Sequence, residues 1–203
     1  MRSCLFPKPT QLSASFVLWH FGMKCAVFFE RDGVLNLVAS GQRRQFTPLT
    51  LNEFHPNPAA EAPLRQLKSA GFLLFATSNQ PGLSRGYQSR RELDRMHVVL
   101  RERFHLTDIL VCPHDEMDDC PCRKPKAGLL LEAAFKWHID LERSFVISDK
   151  WQDAQAAHVA GCTSLMIKSL WNGSGHHDFV VSDLGAAANK ALALQLQVFC
   201  PSC

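Results

Sequence analysis

The sequence predicts a single α/β domain built on one doubly wound, mostly parallel sheet of Rossmann type. Short runs of mostly apolar residues, typical of strands buried on both faces, alternate with longer amphipathic segments of helical period. No internal repeat and no Pro/Gly-rich linker interrupts this alternation. The length of 203 residues fits one domain with a modest extension.

The individual elements follow from the same periodicity. Five apolar runs bounded by polar or turn residues predict strands over residues 25–29, 72–76, 109–112, 145–147 and 164–167. Amphipathic spacing predicts helices over residues 59–69, 90–104, 129–138, 152–160 and 184–196. The domain is therefore expected to span residues 23–198, followed by a short tail at 199–203.

Residues 1–22 are expected to be a leader outside this domain, either disordered or the product of an upstream start codon. Their apolar patch, residues 16–18, is shorter than the apolar region of a signal peptide and far shorter than a membrane span. We therefore expect a cytoplasmic protein without a membrane partner.

Composition excludes several classes of protein. With 46% hydrophobic residues, the chain is neither fibrous nor mostly disordered. The 22 basic and 19 acidic residues leave a net charge of +3, which is too small to indicate a nucleic-acid partner. A small anionic ligand is compatible with this charge, and we expect a monomer.

Two carboxylates follow the first predicted strand. In an open α/β sheet, ligands bind beyond the carboxyl ends of the strands, and Gly33 allows a sharp turn beside Glu30 and Asp32. A carboxylate pair of this kind binds Mg²⁺ and transfers protons. The alternative is a solvated acidic turn.

Polar residues also follow the second and fourth predicted strands. Ser78 and Asn79 indicate either a phosphate-binding loop or an ordinary turn. Asp149 is either a metal ligand or the cap of the next helix, with Asp153 in the first turn of that helix. Together with Glu30 and Asp32, these residues supply the groups that Mg²⁺-dependent phosphoryl transfer requires.

A potential metal site follows the third predicted strand. Its four ligand residues lie within eleven positions of the chain: Cys112, His114, Cys120 and Cys122. Three thiols and one imidazole at this spacing predict a closed, tetrahedral and therefore structural Zn²⁺ site. The alternative is a mobile loop with unliganded thiols.

Three cations come directly after this loop. Bound zinc would fix the directions of Arg123 and Lys124, and a fixed guanidinium beside an ammonium suits one phosphate monoester. With Lys126, the alternatives are a basic surface turn or contacts with a nucleic-acid backbone. The low net charge and the lack of interleaved aromatic residues disfavour nucleic acid.

In combination these segments resemble the haloacid dehalogenase (HAD) superfamily of phosphatases, which implies a HAD-like fold, here with a zinc-binding loop and without a large cap domain. Within it, the chain resembles the small zinc-containing group of D,D-heptose 1,7-bisphosphate phosphatases and histidinol-phosphate phosphatases. The matching motifs are FFERDGVLN (28–36), TSNQPGLSRG (77–86), CPH with CPCRKPKAG (112–128) and SDKWQDAQAAHVAG (148–161). Residues 126–131 and 171–175 look more like the heptose group, whose substrate is a small phosphorylated sugar.

The resemblance implies roles for individual residues. Asp32 would be the general acid/base and would place its main-chain carbonyl on Mg²⁺, which Asp149 would also ligate. Ser78 would bind the phosphoryl group, Asn79 would hold its loop, Lys124 would neutralise charge and Arg123 would grip the substrate. The zinc ligands would be Cys112, His114, Cys120 and Cys122.

The chain departs from this family at two positions. Glu30 stands where the family has its nucleophilic aspartate, and its extra methylene lengthens the arm by about 1.5 Å, enough to cost ~100-fold in rate. Glu30 is therefore a Mg²⁺ ligand, a poor nucleophile, or the mark of a catalytically silent protein that binds sugar phosphates or a partner. Ser148 stands where the family usually has glycine, and its side chain is expected to crowd the metal edge.

Overall fold

The computed structural model of the chain describes residues 22–38, 47–173 and 175–199. Eight strands occur in these ranges: β1 (Ala26–Glu30), β2 (Asn36–Leu37), β3 (His55–Pro56), β4 (Leu73–Asn79), β5 (Asp108–Cys112), β6 (Phe145–Ser148), β7 (Thr163–Ile167) and β8 (Phe179–Val181). The helices are α1 (Glu61–Ser69), α2 (Arg90–Phe104), α3 (Gly128–Trp137), α4 (Trp151–Ala160) and α5 (Leu184–Phe199).

Six of the strands form one sheet in the order β5-β4-β1-β6-β7-β8. Every neighbouring pair in this sheet is parallel. Strand β1 lies inside the sheet and is buried along its whole length, because its AVFFE sequence presents apolar side chains to both faces. Phe29 aligns with Ala76 of β4 and Ile147 of β6, so the carboxyl ends of these three strands lie at one edge.

Helices cover both faces of the sheet. One apolar cluster contains residues of α1, α2 and α5, including Leu67, Met96 and Ala187. A second cluster contains residues of α3 and α4, including Leu130 and Ala157. This arrangement confirms the predicted doubly wound α/β fold, and the described ranges contain no large cap.

Several elements differ from the prediction. The short edge strand β8 was not predicted, because three residues are too few to show a period. The antiparallel ribbon of β2 and β3 has two residues in each strand and escapes detection for the same reason. Helix α5 continues to Phe199, one residue into the predicted tail.

The predicted leader lies outside the described residues except for Gly22, and residues 200–203 of the tail also lie outside them. Within the described part of the chain, no helix combines the length and the apolar character needed to cross a membrane.

Candidate active site at the strand ends

Two carboxylates and a lysine form the buried centre of the site. Glu30 ends β1, and the ammonium group of Lys124 donates a hydrogen bond to its Oε2 atom. The same ammonium lies 2.7 Å from Oδ1 of Asp153, in the first turn of α4. Glu30, Lys124 and Asp153 are 4%, 7% and 1% exposed, so water contributes little to compensating their charges. The charges of the two carboxylates are therefore compensated mainly by the Lys124 ammonium.

A second ammonium gathers three oxygens beside this centre. Lys150 Nζ donates to the main-chain oxygen of Asp32 and lies 3.5 Å from Oε1 of Glu30 and 3.5 Å from Oδ1 of Asp149. The Asp149 carboxylate can lie close to the turn after β1 because residue 33 is glycine: a Cβ atom there would lie 2.6 Å from Oδ2 of Asp149. The strand-end loops thus direct oxygens from three residues toward one cation position.

The Asp32 carboxylate is held by hydrogen bonds on several sides. Arg31 donates to both of its oxygens, at 3.0 and 2.7 Å, and Asn36 donates to Oδ1 at 3.2 Å. The amide of Gln80 lies 3.1 Å from Oδ2 of Asp32 and 2.7 Å from the hydroxyl of Ser78. Ser78 and Asp32 are therefore joined through one amide group.

Arg31 extends from this network into the protein interior. It is fully buried, its guanidinium carbon lies 5.7 Å from the centre of the Phe54 ring, and Nη1 lies 3.5 Å from Nε2 of His97. Burial lowers the pKa of His97 to about 3, and the positive charge of Arg31 acts in the same direction. His97 is therefore neutral at physiological pH.

Asn79 anchors the segment that carries Lys124. Its side-chain amide donates to the Lys124 carbonyl at 3.0 Å, and its carbonyl accepts from the Lys124 N–H at 3.1 Å. This paired contact joins the end of β4 to the loop between β5 and α3. Lys124 consequently reaches Glu30 from a main chain that is fixed in place.

Burial and mutual charge set the ionisation of these groups. Burial raises the pKa of Asp153 to about 7, and the negative charge of Glu30 contributes to the rise although Lys124 opposes it. For Glu30, burial would raise the pKa, but the charges of Lys124 and Lys150 outweigh it and lower the pKa to about 2. The pKa of Lys124 is raised, because the attraction of Asp153 and Glu30 exceeds the cost of burial. Glu30 is therefore a carboxylate, and Lys124 an ammonium, at neutral pH.

The four residues predicted to bind zinc lie together after β5 and form what we call the thiol–imidazole cluster: Cys112, His114, Cys120 and Cys122. Their ligand atoms all lie within 4.8 Å of one another, and the Cys112–Cys120 and Cys120–Cys122 sulfur distances are both 3.5 Å. Tetrahedral Zn–S bonds of about 2.3 Å would separate two sulfurs by roughly 3.8 Å. The cluster therefore has the size of a zinc site.

Arg123 lies between this cluster and the buried lysine. Its guanidinium donates to the carbonyl of His114 at 3.2 Å and to Glu116 at 3.1 Å. With Lys124 and Asn79, it lines a surface cleft of about 330 Å³. The cleft connects the strand-end residues with solvent.

Comparison with known proteins agrees with this arrangement. Residues 121–187 match the family model described as "HAD-hyrolase-like". The D-glycero-beta-D-manno-heptose-1,7-bisphosphate 7-phosphatase of Pseudomonas aeruginosa is 32% identical over 148 residues, covering 70% of this chain and 80% of its own. The enzyme of the same name from Pasteurella multocida is 36% identical, covering 66% of this chain and 76% of its own.

The chain belongs to the heptose bisphosphate phosphatase family of HAD-like hydrolases. A crystal structure of D,D-heptose 1,7-bisphosphate phosphatase from B. bronchiseptica, complexed with magnesium and phosphate, superimposes with a TM-score of 0.71 at 28% identity. The match covers 85% of this chain and 99% of that one.

Two alternatives from the sequence prove wrong in this family member. Glu30 and Asp32 are buried, so they are not part of a solvated turn. The N-cap of α4 is Lys150 and not Asp149. The hydroxyl of Ser148 accepts a hydrogen bond from the Lys150 N–H at 3.0 Å, so it is engaged by the main chain of the turn.

Several side chains of the site do not follow from the residue pattern: Arg31, Gln80, Lys150 and Asp153 as a partner of Lys124. Arg31 and Lys150 each stand beside a carboxylate in the sequence, which suggests only local charge balance. For Asp153 the pattern indicated only an acidic residue in the first turn of a helix. Gln80 carried no signal beyond its place after a buried strand.

Proposed function

We propose that this protein is a Mg²⁺-dependent phosphomonoester hydrolase that removes the 7-phosphate of D-glycero-D-manno-heptose 1,7-bisphosphate. The convergence of Glu30, Asp32, Lys124 and Asp149 at one edge of the sheet carries the proposal. Relatives that bear this enzyme name over most of the chain support the choice of substrate. The reaction is phosphoester hydrolysis, and a small phosphorylated sugar is the ligand.

Magnesium fits the residues that are present. Mg²⁺ prefers oxygen ligands, commonly one or two carboxylates together with substrate phosphate. Carboxylates of Glu30 and Asp149 and the main-chain oxygen of Asp32 supply such a set, and the contact of all three with the Lys150 ammonium supports their use as ligands of one cation. When bound, the ion would neutralise the charge of the transferring phosphoryl group.

Glu30 and Asp32 divide the chemistry between them in this proposal. The Glu30 carboxylate attacks phosphorus, the bond to the leaving oxygen breaks, and Asp32 donates its proton to the departing alcohol. Asp32 then takes a proton from water, whose oxygen attacks the acyl-phosphate, releasing inorganic phosphate and restoring Glu30. The low pKa of Glu30 keeps it in the anionic form that attack requires.

The remaining residues hold the phosphoryl group. Lys124 offsets charge on its oxygens, and the Ser78 hydroxyl donates a hydrogen bond to it while Asn79 fixes the Lys124 main chain. Arg123 binds the part of the substrate that extends into the cleft.

Zinc has a structural role in the proposal. A Zn²⁺ ion held by the thiol–imidazole cluster would have no open coordination position and would fix the loop that carries Arg123 and Lys124. The cysteines in the described ranges are free thiols, which suits a cytoplasmic protein, since disulfides are rare in that compartment.

Glu30 favours a second candidate function, a HAD-fold protein that binds sugar phosphates without hydrolysing them. Its side chain is longer than the family's aspartate, and a displacement of about 1 Å at a reacting centre costs on the order of 100-fold.

Phosphate release distinguishes these functions. Purified protein with Mg²⁺ is expected to release phosphate from heptose 1,7-bisphosphate in preference to histidinol phosphate, and the Asp32→Asn variant is expected to be inactive. Preferential turnover of histidinol phosphate would reassign the substrate. Absence of turnover with both esters, together with measurable binding, would establish the silent protein.

A further inference from the structure

Two indole side chains form an apolar surface beside the strand-end residues. Trp151 is the first residue of α4 and follows Lys150 directly, yet it is 42% exposed. Trp171 lies in the loop after β7, next to Leu170, which is 89% exposed. Among the described residues, the two apolar core clusters include none of the three. We call this surface, formed by Trp151, Leu170 and Trp171, the indole wall.

The indole wall lines a cleft of about 380 Å³ together with Lys150, Gln152 and Gly173. Trp151 and Gln152 also line the cleft that contains Asn79 and Lys124. Trp151 therefore lies between two clefts, and each of them contains one of the lysines that bind Glu30. The apolar surface is continuous with the charged site.

Main-chain contacts hold the wall in place. The Trp151 N–H donates to the Trp171 carbonyl at 3.1 Å, and the Trp171 N–H donates to the Ser169 hydroxyl at 3.0 Å. That hydroxyl donates to the carbonyl of Asp149 at 2.6 Å. Gly173 adopts a φ of +64°, and a Cβ atom there would lie 3.2 Å from the Trp151 Cβ. Because the loop is tied to Asp149, a ligand pays little ordering entropy to contact the indoles.

We propose that the indole wall binds the sugar ring of the substrate, with the C–H face of a pyranose stacked on Trp151. This inference rests on the proposed function and adds that the protein selects cyclic sugar phosphates over acyclic phosphate esters.

The chemistry of the cleft favours a sugar ring as the occupant. A pyranose presents an apolar C–H face to an aromatic surface and hydroxyl groups around its rim, which suit the amide of Gln152 and the ammonium of Lys150. A ring whose phosphate lies between Lys124 and Lys150 extends from the point where the two clefts meet at Trp151. An acyclic ester such as glycerol phosphate has no face to stack.

Calorimetric binding tests this inference separately from turnover. Heptose 1,7-bisphosphate and inorganic phosphate are titrated into the full chain with Mg²⁺, in the Asp32→Asn background so that the ester is not consumed. Trp151→Ala is expected to weaken binding of the sugar phosphate about tenfold and to change binding of inorganic phosphate by less than about twofold. Trp151→Phe, which keeps an aromatic face, is expected to stay within about threefold of the parent.

Trp137→Phe is the matched control. Trp137 packs against Phe75, with ring centres 6.1 Å apart, and lies outside both clefts, so its replacement is expected to leave both ligands unaffected. Equal weakening of both ligands by Trp151→Ala, or no weakening of the sugar phosphate, would overturn the inference. So would a parent protein that binds the sugar phosphate no more tightly than inorganic phosphate. Selective weakening in a protein whose wild type does not turn over the ester would support the wall and refute the proposed hydrolysis.

Discussion

The thiol–imidazole cluster and the strand-end site hold charge in opposite ways. The cluster takes all four ligand residues from eleven consecutive positions, and its ligand atoms lie within 4.8 Å of one another. The strand-end site draws Glu30, Lys124 and Asp153 from separate parts of the chain, and its carboxylates are already matched by ammonium groups. The cluster therefore has the residue types of a metal site, whereas the strand-end carboxylates are paired with ammonium groups of the chain itself.

This difference predicts different responses to substitution. Loss of one ammonium leaves buried carboxylates without compensation, while loss of one thiol mainly removes affinity for a metal. The two regions meet at Arg123 and Lys124, directly after Cys122 in the sequence. Substitutions in each region test how far the two are independent.

Replacing Lys124 by Met is expected to have the largest effect. It leaves buried Asp153 without the ammonium that it contacts and leaves Glu30 with Lys150 alone, which should lower the free energy of unfolding by about 3–5 kcal/mol and turnover by at least ~1000-fold. Urea denaturation and phosphate release measure the two effects. Lys126→Met is the control, because its exposed ion pair with Asp119 is screened by solvent and should contribute little to stability. Equal effects of the two substitutions would show that the buried ion pairs have no special importance.

Replacing Cys122 by Ser is expected to remove bound zinc and about 3 kcal/mol of stability. Elemental analysis should find one zinc per chain in the wild type and much less in the variant. Cys162→Ala provides the control, since this buried thiol lies outside the cluster and its loss should leave zinc content unchanged. A wild type without zinc would contradict the metal site and leave the cluster as three thiols and an imidazole in mutual contact.

Acid should lower the free energy of unfolding, because His97 behind the strand-end site is buried in its neutral form. The pKa of His97 is about 3 in the folded protein and 6.5 ordinarily, so its contribution is complete above pH 6.5 and is lost as pH falls toward 3. At pH 5 the loss should be about 2 kcal/mol relative to pH 7.5. Urea midpoints between pH 7.5 and 5 should fall in the wild type and remain flatter in His97→Gln.

Replacing Lys150 by Met is expected to have the smallest effect and the opposite sign. Its ammonium lies against the three oxygens proposed to hold magnesium, so its loss should tighten Mg²⁺ binding about tenfold. Calorimetric titration with MgCl₂ measures the change. Weaker Mg²⁺ binding in the variant would show that Lys150 supports the metal site and does not compete with it.

The thiol–imidazole cluster could be predicted from sequence because its spacing is local. Four ligand residue types within eleven positions point to a metal without knowledge of the fold. The strand-end carboxylates needed one further step, since only the parallel topology brings Glu30 and Asp149 to the same edge. That topology could be predicted because short apolar runs alternate with segments of helical period.

The partners of these carboxylates could not be predicted in the same way. Lys150 and Asp153 contact the site because α4 begins shortly after β6. Residue types alone do not specify the direction in which the chain leaves the strand. The ribbon of β2 and β3 and the edge strand β8 were missed because two or three residues show no period. Tertiary packing, and not local pattern, determines them.

Phosphate release by wild type, Glu30→Asp and Glu30→Gln, measured side by side on heptose 1,7-bisphosphate with Mg²⁺, determines whether Glu30 is the nucleophile of a phosphatase. We expect slow release by the wild type, release up to ~100-fold faster by Glu30→Asp, and none by Glu30→Gln. Equal release by the wild type and Glu30→Gln would contradict the role of this carboxylate. An inactive wild type beside an active Glu30→Asp would contradict hydrolysis as the function of the native chain.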